Sequence, residues 1–97
     1  MSPTVVFRHL ARAELRSAVR WHEHQRAGLG TRFVGAVEQA IKTAVDVPMR
    51  ATPLMQNIRR VRVRRFPYFV YYIAEESRLI VLAVLHYRRD PEKWRHR

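Results

Sequence analysis

A seven-residue run in which every side chain is apolar, residues 79–85 (LIVLAVL), constrains the fold of this chain more than any other stretch. Such a run, with no polar alternation, is typical of a strand covered on both faces and therefore of the interior of a sheet. A second strand-like segment, residues 68–73, precedes it across the polar residues 75–78. The abundance of Val, Ile, Tyr and Phe predicts two consecutive antiparallel strands, the later one near the middle of the sheet.

An alternation of arginine and valine indicates a third strand upstream. Val61 and Val63 alternate with Arg60, Arg62 and Arg64. Because successive side chains on a strand point to opposite faces, the valines should face the core and the arginines should form a row of positive charge. The sequence therefore predicts a sheet in which one strand is basic on one face.

Two amphipathic helices are predicted before these strands. Apolar residues recur at three- and four-residue spacing over residues 8–25 and again over residues 33–45. Gly28 and Gly30 interrupt the pattern, and glycine readily adopts the left-handed conformation that ends a helix. So short a connection predicts an antiparallel helical hairpin.

A short first strand is predicted at residues 4–7, where it could pair at the sheet edge. The expected order is β-α-α-β-β-β, an α+β fold in which a twisted antiparallel sheet of residues 58–85 carries the helical hairpin of residues 8–46 on one face. We expect the core to include Phe33, Val37, Ile41, Val61, Val63, Val70, Val81 and Ala83.

The composition fits one small domain without a cofactor. Ninety-seven residues, of which 47% are hydrophobic, can fill a single core, so residues 1–97 are predicted to form one domain. The chain has no cysteine, which excludes disulfides and thiolate zinc sites, and its five histidines lack a metal-binding spacing. We therefore expect neither a metal nor a cofactor. With no apolar leader and no apolar run of membrane-spanning length, we predict a cytoplasmic protein that does not enter a membrane.

The charge gives the clearest functional signal of the composition. Nineteen Lys and Arg residues against eight Asp and Glu residues leave a net charge of +11. Such a field favours a polyanion, an acidic protein or both as a partner. An arginine-rich surface that is simply solvated is the third interpretation.

Basic and aromatic residues from the arginine strand and from the end of the last strand are expected to converge. Such a set can clamp phosphates through the paired donors of arginine, with Tyr or His moving a proton or stacking on a base. It can equally hold an acidic protein segment, and the residues alone leave both alternatives open. The set comprises Arg60, Arg62, Arg64, His86, Tyr87, Arg88 and Arg89.

Two stretches of the chain, residues 65–72 (RFPYFVYY) and residues 81–91 (VLAVLHYRRDP), resemble the ParE toxins of the RelE/ParE superfamily, often called plasmid stabilisation proteins. Residues 11–15 (ARAEL) and 28–33 (GLGTRF) stand in the family's order, so the resemblance covers nearly the whole chain. It implies a RelE/ParE-like fold and a type II toxin–antitoxin system. We expect an acidic, ParD-like antitoxin that wraps the toxin as a helix and an extended strand, burying apolar side chains and pairing carboxylates with arginines.

The resemblance implies one of two activities. RelE-like members of the superfamily cut messenger RNA in the ribosome, whereas ParE-like members poison DNA gyrase and arrest growth without cutting nucleic acid themselves. Alignment with the RNA-cleaving residues of the RelE-like members places Arg60, Arg62 and Arg88 at the basic positions of that set. Phe69 falls where a further arginine is expected, and Trp94 falls near the expected tyrosine. Because the pKa of arginine is too high for easy proton transfer, these departures favour the gyrase-directed function.

We predict a target-binding surface with no catalytic role of its own. The alternative is a ribosome-dependent mRNA endoribonuclease that uses Arg60, Arg62, Tyr87 and Arg88, and a third hypothesis is an inactivated toxin kept as a binding module. The predicted target-binding residues are Arg60, Arg62, Arg64, His86, Arg88, Arg89, Lys93, Trp94 and Arg95.

Overall fold

A computed structural model describes residues 3–88, which form six elements in the predicted β-α-α-β-β-β order. Arg89, Lys93, Trp94 and Arg95, predicted to bind the target, lie outside the described residues. The elements are β1 (Thr4–Phe7), α1 (His9–Gln25), α2 (Leu29–Asp46), β2 (Ile58–Val63), β3 (Tyr68–Ala74) and β4 (Arg78–His86).

The four strands form one open sheet in the order β1-β4-β3-β2. The pairs β2–β3 and β3–β4 are antiparallel as predicted, whereas β1 lies parallel to β4 through residues 78–81. Both helices pack on one face of this mixed sheet, α1 mainly against β4 and α2 mainly against β2. The predicted α+β fold is confirmed, and the apolar strand β4 lies between two neighbours, as its sequence indicated.

The core between helices and sheet contains most of the residues that were expected there. Phe33 and Val37 of α2 pack in one cluster with Val63 and Val81 of the sheet, and all four are almost completely buried. Burying a side chain of this size contributes ~1.5–3 kcal/mol to folding. Val61, also expected in the core, is only half-buried, although Val63 of the same outer strand is completely buried.

A register shift in β4 reverses which residues face the helices. The adjacent β3 residues Tyr71 and Tyr72 pair with Ala83 and Val81, which are two positions apart. Val81 packs under the helices, whereas Ala83 belongs to the cluster on the opposite face. Odd-numbered residues of β4 face the helices before the shift and even-numbered residues face them after it, as expected of a β-bulge. One consequence is that His86 lies on the helix side of the sheet.

The face of the sheet turned away from the helices, called the distal face below, is also apolar. Because the side chains of β4 are buried on both faces of the sheet, its sequence shows no alternation of polar and apolar residues. Met55, Phe69 and Ile73 are partly buried against this face. Its buried residues are Ile58, Tyr71, Ile80, Leu82, Ala83 and Leu85.

Glu23 fixes the turn between α1 and α2. Its carboxylate accepts hydrogen bonds from the backbone N–H groups of Gly28 (2.9 Å) and Gly30 (2.9 Å), and these bonds lower the pKa of Glu23. Gly28 adopts a φ of 88°, a conformation that favours glycine. At Gly30 a Cβ atom would lie 2.9 Å from the carbonyl oxygen of Val19, so only glycine fits this close approach of the two helices.

Candidate functional site

The basic residues predicted from the sequence are divided among three surfaces. Arg60 and Tyr87 lie on the distal face, where both contact the ring of Phe69. His86 lines a cavity between α1 and β4. Arg62 and Arg64 line a cleft between α2 and the β2–β3 turn. The expected convergence on one surface is therefore replaced by three separate chemical environments.

The distal face carries one guanidinium group and three aromatic rings close together. The guanidinium carbon of Arg60 lies 4.0 Å from the centroid of the Phe69 ring. The Phe69 ring lies 4.6 Å from that of Tyr87 and 6.2 Å from that of Tyr71. A cation over an exposed ring contributes about 0.5–1 kcal/mol, so this contact is enough to bias the position of Arg60. Such an array can stack on a base or hold an anionic partner.

The cavity between α1 and β4 is the more apolar of the two large openings. It has a volume of about 750 Å³, and its mouth carries Trp21, which is 57% exposed. The imidazole of His86 reaches it, and the backbone N–H of Arg88 donates to Nδ1 of that ring (3.0 Å). We call it the α1–β4 cavity; its lining comprises Glu14, Ser17, Ala18, Trp21, His22, Pro67, Tyr68, Val84, Leu85 and His86.

This cavity exists because β1 is short. β1 pairs with β4 only as far as Val81, opposite Phe7, and the chain then turns into α1. Beyond that point the β4 edge faces α1, where Oε1 of Glu14 accepts a hydrogen bond from the N–H of Val84 (3.1 Å). A carboxylate thus satisfies a backbone donor that a longer strand would have paired.

His22 is a structural residue at the bottom of this cavity. Its Nδ1 lies 2.6 Å from the carbonyl oxygen of Ala18, within hydrogen-bonding distance. Its ring stacks on Phe33 at 4.6 Å and meets Phe66 edge-on at 5.2 Å. The residue is only 5% exposed. Within residues 3–88 no cluster of three His, Asp or Glu residues has the arrangement to hold a metal ion.

A cleft of about 1070 Å³ opens where the α1–α2 turn meets the β2–β3 turn. We call it the arginine cleft, because Arg26, Arg32, Arg62, Arg64 and Arg65 line it together with Leu29, Ala36, Gln39 and Phe66. Among the described residues, no carboxylate belongs to this lining. The two ion pairs found in residues 3–88, one on α2 and one in the β3–β4 turn, involve none of these arginines.

Three residues of the arginine cleft were missed from the sequence. Arg26 directly follows α1 and Arg32 lies in the first turn of α2, and both come more than 25 positions before the basic strand. Arg65 occupies the β2–β3 turn with a φ of 71°. Only the packing of α2 on β2 brings these segments together, so neither spacing nor composition indicates the cluster.

Comparison with known proteins identifies the family. The family described as "ParE toxin of type II toxin-antitoxin system, parDE" matches residues 5–91. A solved structure of the chromosomal ParDE toxin–antitoxin system from P. aeruginosa has a similar fold, with a TM-score of 0.74 and 11% sequence identity, covering 88% of this chain and 96% of that one. A search of curated proteins found no match. Since the family match extends over nearly all of the helices and strands, this chain belongs to the ParE toxins of type II toxin–antitoxin systems.

Proposed function

We propose that this toxin acts on DNA gyrase and blocks replication without cutting nucleic acid itself. The observation that supports this function is the composition of the distal face. RNA cleavage by a ribose 2′-hydroxyl needs a general base that takes the proton of that hydroxyl. Among the described residues, this face presents Arg60, Phe69 and Tyr87 around an apolar surface, and this set includes no carboxylate or imidazole for that role. The register shift in β4 turns the imidazole of His86 to the helix side, away from this face.

A ribosome-dependent mRNA endoribonuclease is the second candidate, and one contact favours it. Phe69 touches both Arg60 and Tyr87, so a phosphate-binding guanidinium and a phenol lie on the same side of the sheet. In this candidate Arg60, Arg62, Tyr87 and Arg88 act on the RNA. An inactivated toxin that serves as a binding module is the third candidate, and it would show neither activity.

Membership of the family implies an antitoxin partner, and we propose that its apolar side chains dock in the α1–β4 cavity. The exposed ring of Trp21 at the mouth is the type of anchor that dominates protein interfaces. The net charge of the whole chain, +11, favours an acidic partner.

Binding to the product of the neighbouring open reading frame tests this docking site. We expect Trp21→Ala to weaken the complex at least tenfold, and Met49→Ala, which truncates a 67% exposed side chain in the α2–β2 loop, to leave affinity unchanged. Equal affinity of the Trp21 variant and the unmodified chain would contradict the assignment.

The proposed target places the toxin in the cytoplasm, where gyrase and its DNA are found. No helix within the described residues 3–88 has the length and apolar character to cross a membrane. Fractionation of cells that express the toxin together with its antitoxin tests the location. Recovery of the complex in the membrane fraction would contradict it.

Induction of the toxin without antitoxin tests the function in cells. A gyrase poison should block replication and trigger a DNA-damage response while messenger RNA stays intact. We expect Arg88→Ala combined with Arg89→Ala, or removal of residues 90–97, to reduce toxicity. Arg60→Ala should matter less for gyrase poisoning than for ribonuclease activity. Rapid loss of messenger RNA before any DNA damage would instead support the ribonuclease.

A further inference from the structure

The arginine cleft concentrates positive charge, and none of its arginines takes part in the ion pairs found in residues 3–88. Its five arginines come from the end of α1, the start of α2, the strand β2 and the β2–β3 turn, and all five are exposed. Glu23, which belongs to the same α1–α2 turn, is already engaged by the N–H groups of Gly28 and Gly30. The guanidinium groups are therefore available to an external anion.

The backbone that carries these arginines is held in place. Phe66 follows Arg65 in the β2–β3 turn, and its ring packs edge-on against Phe33 at 5.0 Å and against His22 at 5.2 Å. On the other side of the cleft, the N–H of Arg26 donates to the carbonyl of His22 (3.1 Å). The aromatic contacts of Phe66 therefore hold the β2–β3 turn, and the helical hydrogen bond of Arg26 holds the end of the first helix, so the backbone on both sides of the cleft loses little entropy when a ligand binds.

The chemistry of the cleft favours phosphate over a protein segment. Its apolar lining is limited to Leu29, Ala36 and Phe66, whereas the α1–β4 cavity presents a tryptophan, a tyrosine and aliphatic side chains. Guanidinium groups bind phosphate oxygens through two parallel donors, and several of them around one cleft can neutralise consecutive phosphates. We propose that the arginine cleft binds the phosphodiester backbone of a nucleic acid. This inference is independent of whether the toxin acts on gyrase.

Binding of labelled nucleic acids to the purified 97-residue chain at several salt concentrations tests this site. The probes are a 20-base-pair DNA duplex and a single-stranded RNA of the same length, followed by fluorescence anisotropy. The logarithm of the association constant falls linearly with the logarithm of the salt concentration. Removal of one arginine–phosphate interaction should reduce the magnitude of this negative slope by about 0.9 on duplex DNA. For Arg62→Ala combined with Arg64→Ala and Arg65→Ala, we expect the slope to fall by about two to three and affinity at 0.1 M salt to fall at least tenfold.

A matched control removes the same charge elsewhere. Arg12→Ala combined with Arg16→Ala and Arg20→Ala takes three exposed arginines from α1, and we expect a loss of affinity below threefold. Replacing the three cleft residues with lysine should keep most of the salt slope, because the charge remains, while affinity falls through loss of the paired donors. Thermal unfolding of each variant confirms that the chain is folded.

The outcomes separate the possible ligands. Binding of both probes identifies the phosphodiester backbone that DNA and RNA share as the ligand. Binding of one probe alone supports the site and shows whether its ligand is DNA or RNA. An equal or larger loss in the α1 control would overturn the proposal. Binding of a 20-residue polyglutamate with no binding of either nucleic acid would also overturn it, since the cleft would then be a site for acidic protein.

Discussion

The close approach of α1 and α2 at Gly30 makes a quantitative prediction about stability. A Cβ atom at this position would lie 2.9 Å from the carbonyl oxygen of Val19 and 2.9 Å from Oε1 of Glu23, about 0.5 Å short of an ordinary contact. The carboxylate can move, but the carbonyl belongs to the backbone of α1. Gly30→Ala must therefore push the helices apart or displace the Glu23 cap.

The expected cost follows from these contacts. Overpacking of this kind costs about 1–3 kcal/mol, and any displacement of the Glu23 cap adds to that cost. The better helix propensity of alanine offsets about 1 kcal/mol. Packing and propensity together leave a loss of about 0–2 kcal/mol in the free energy of unfolding, and losing the Glu23 hydrogen bonds adds about 1 kcal/mol, which gives a loss of about 1–3 kcal/mol. For a domain of this size, each kcal/mol lowers Tm by about 4–8 °C.

Gly35 is the matched control within the same helix. A Cβ atom added there meets nothing within 4 Å, so Gly35→Ala should stabilise the chain by about 0.5–1 kcal/mol. Thermal unfolding followed by circular dichroism measures both variants. If Gly30→Ala is as stable as the unmodified chain, or if both substitutions stabilise it, the description of the helix contact is wrong.

Two further predictions concern hydrogen bonds that hold loops in place. Because the N–H groups of Gly28 and Gly30 lower the pKa of Glu23, its contribution to stability should be complete above pH 4.5 and lost as the pH falls through the lowered pKa. In urea unfolding, the free energies of Glu23→Gln and of the unmodified chain should therefore become equal in acid. A difference that stays constant down to about pH 2 would refute this. The hydroxyl of Tyr72 donates to the carbonyl of Pro48 (3.0 Å), so Tyr72→Phe should cost about 1 kcal/mol in urea unfolding at pH 7. Burial raises the pKa of Tyr72, so this difference should shrink as the pH rises above 10, and its persistence at about pH 11 would contradict the assignment.

The sequence predicted the fold well because its periodicities were unambiguous. The helical stripe placed Phe33 and Val37 in the core, and the apolar run marked β4 as an interior strand. The direction of β1 was not predictable, because four residues, half of them exposed, carry no information about parallel or antiparallel pairing.

The site was less predictable than the fold because its placement depends on tertiary structure. A strand that is apolar at every position has no period, so the register shift in β4 and the resulting orientation of His86 leave no trace in the sequence. Arg60 and Arg62 alternate with valines as expected, yet one lies over Phe69 while the other lines the arginine cleft. Whether either residue binds the target remains a prediction.

Gyrase and the ribosome can be tested with the same purified toxin, and this paired assay addresses the central functional proposal most directly. One reaction contains gyrase with supercoiled DNA, and the other contains ribosomes programmed with messenger RNA. We predict stabilised gyrase-linked DNA breaks in the first reaction and intact messenger RNA in the second. Codon-positioned cleavage on the ribosome with no effect on gyrase would contradict the proposal and establish the ribonuclease, whereas activity in neither reaction would favour an inactivated toxin.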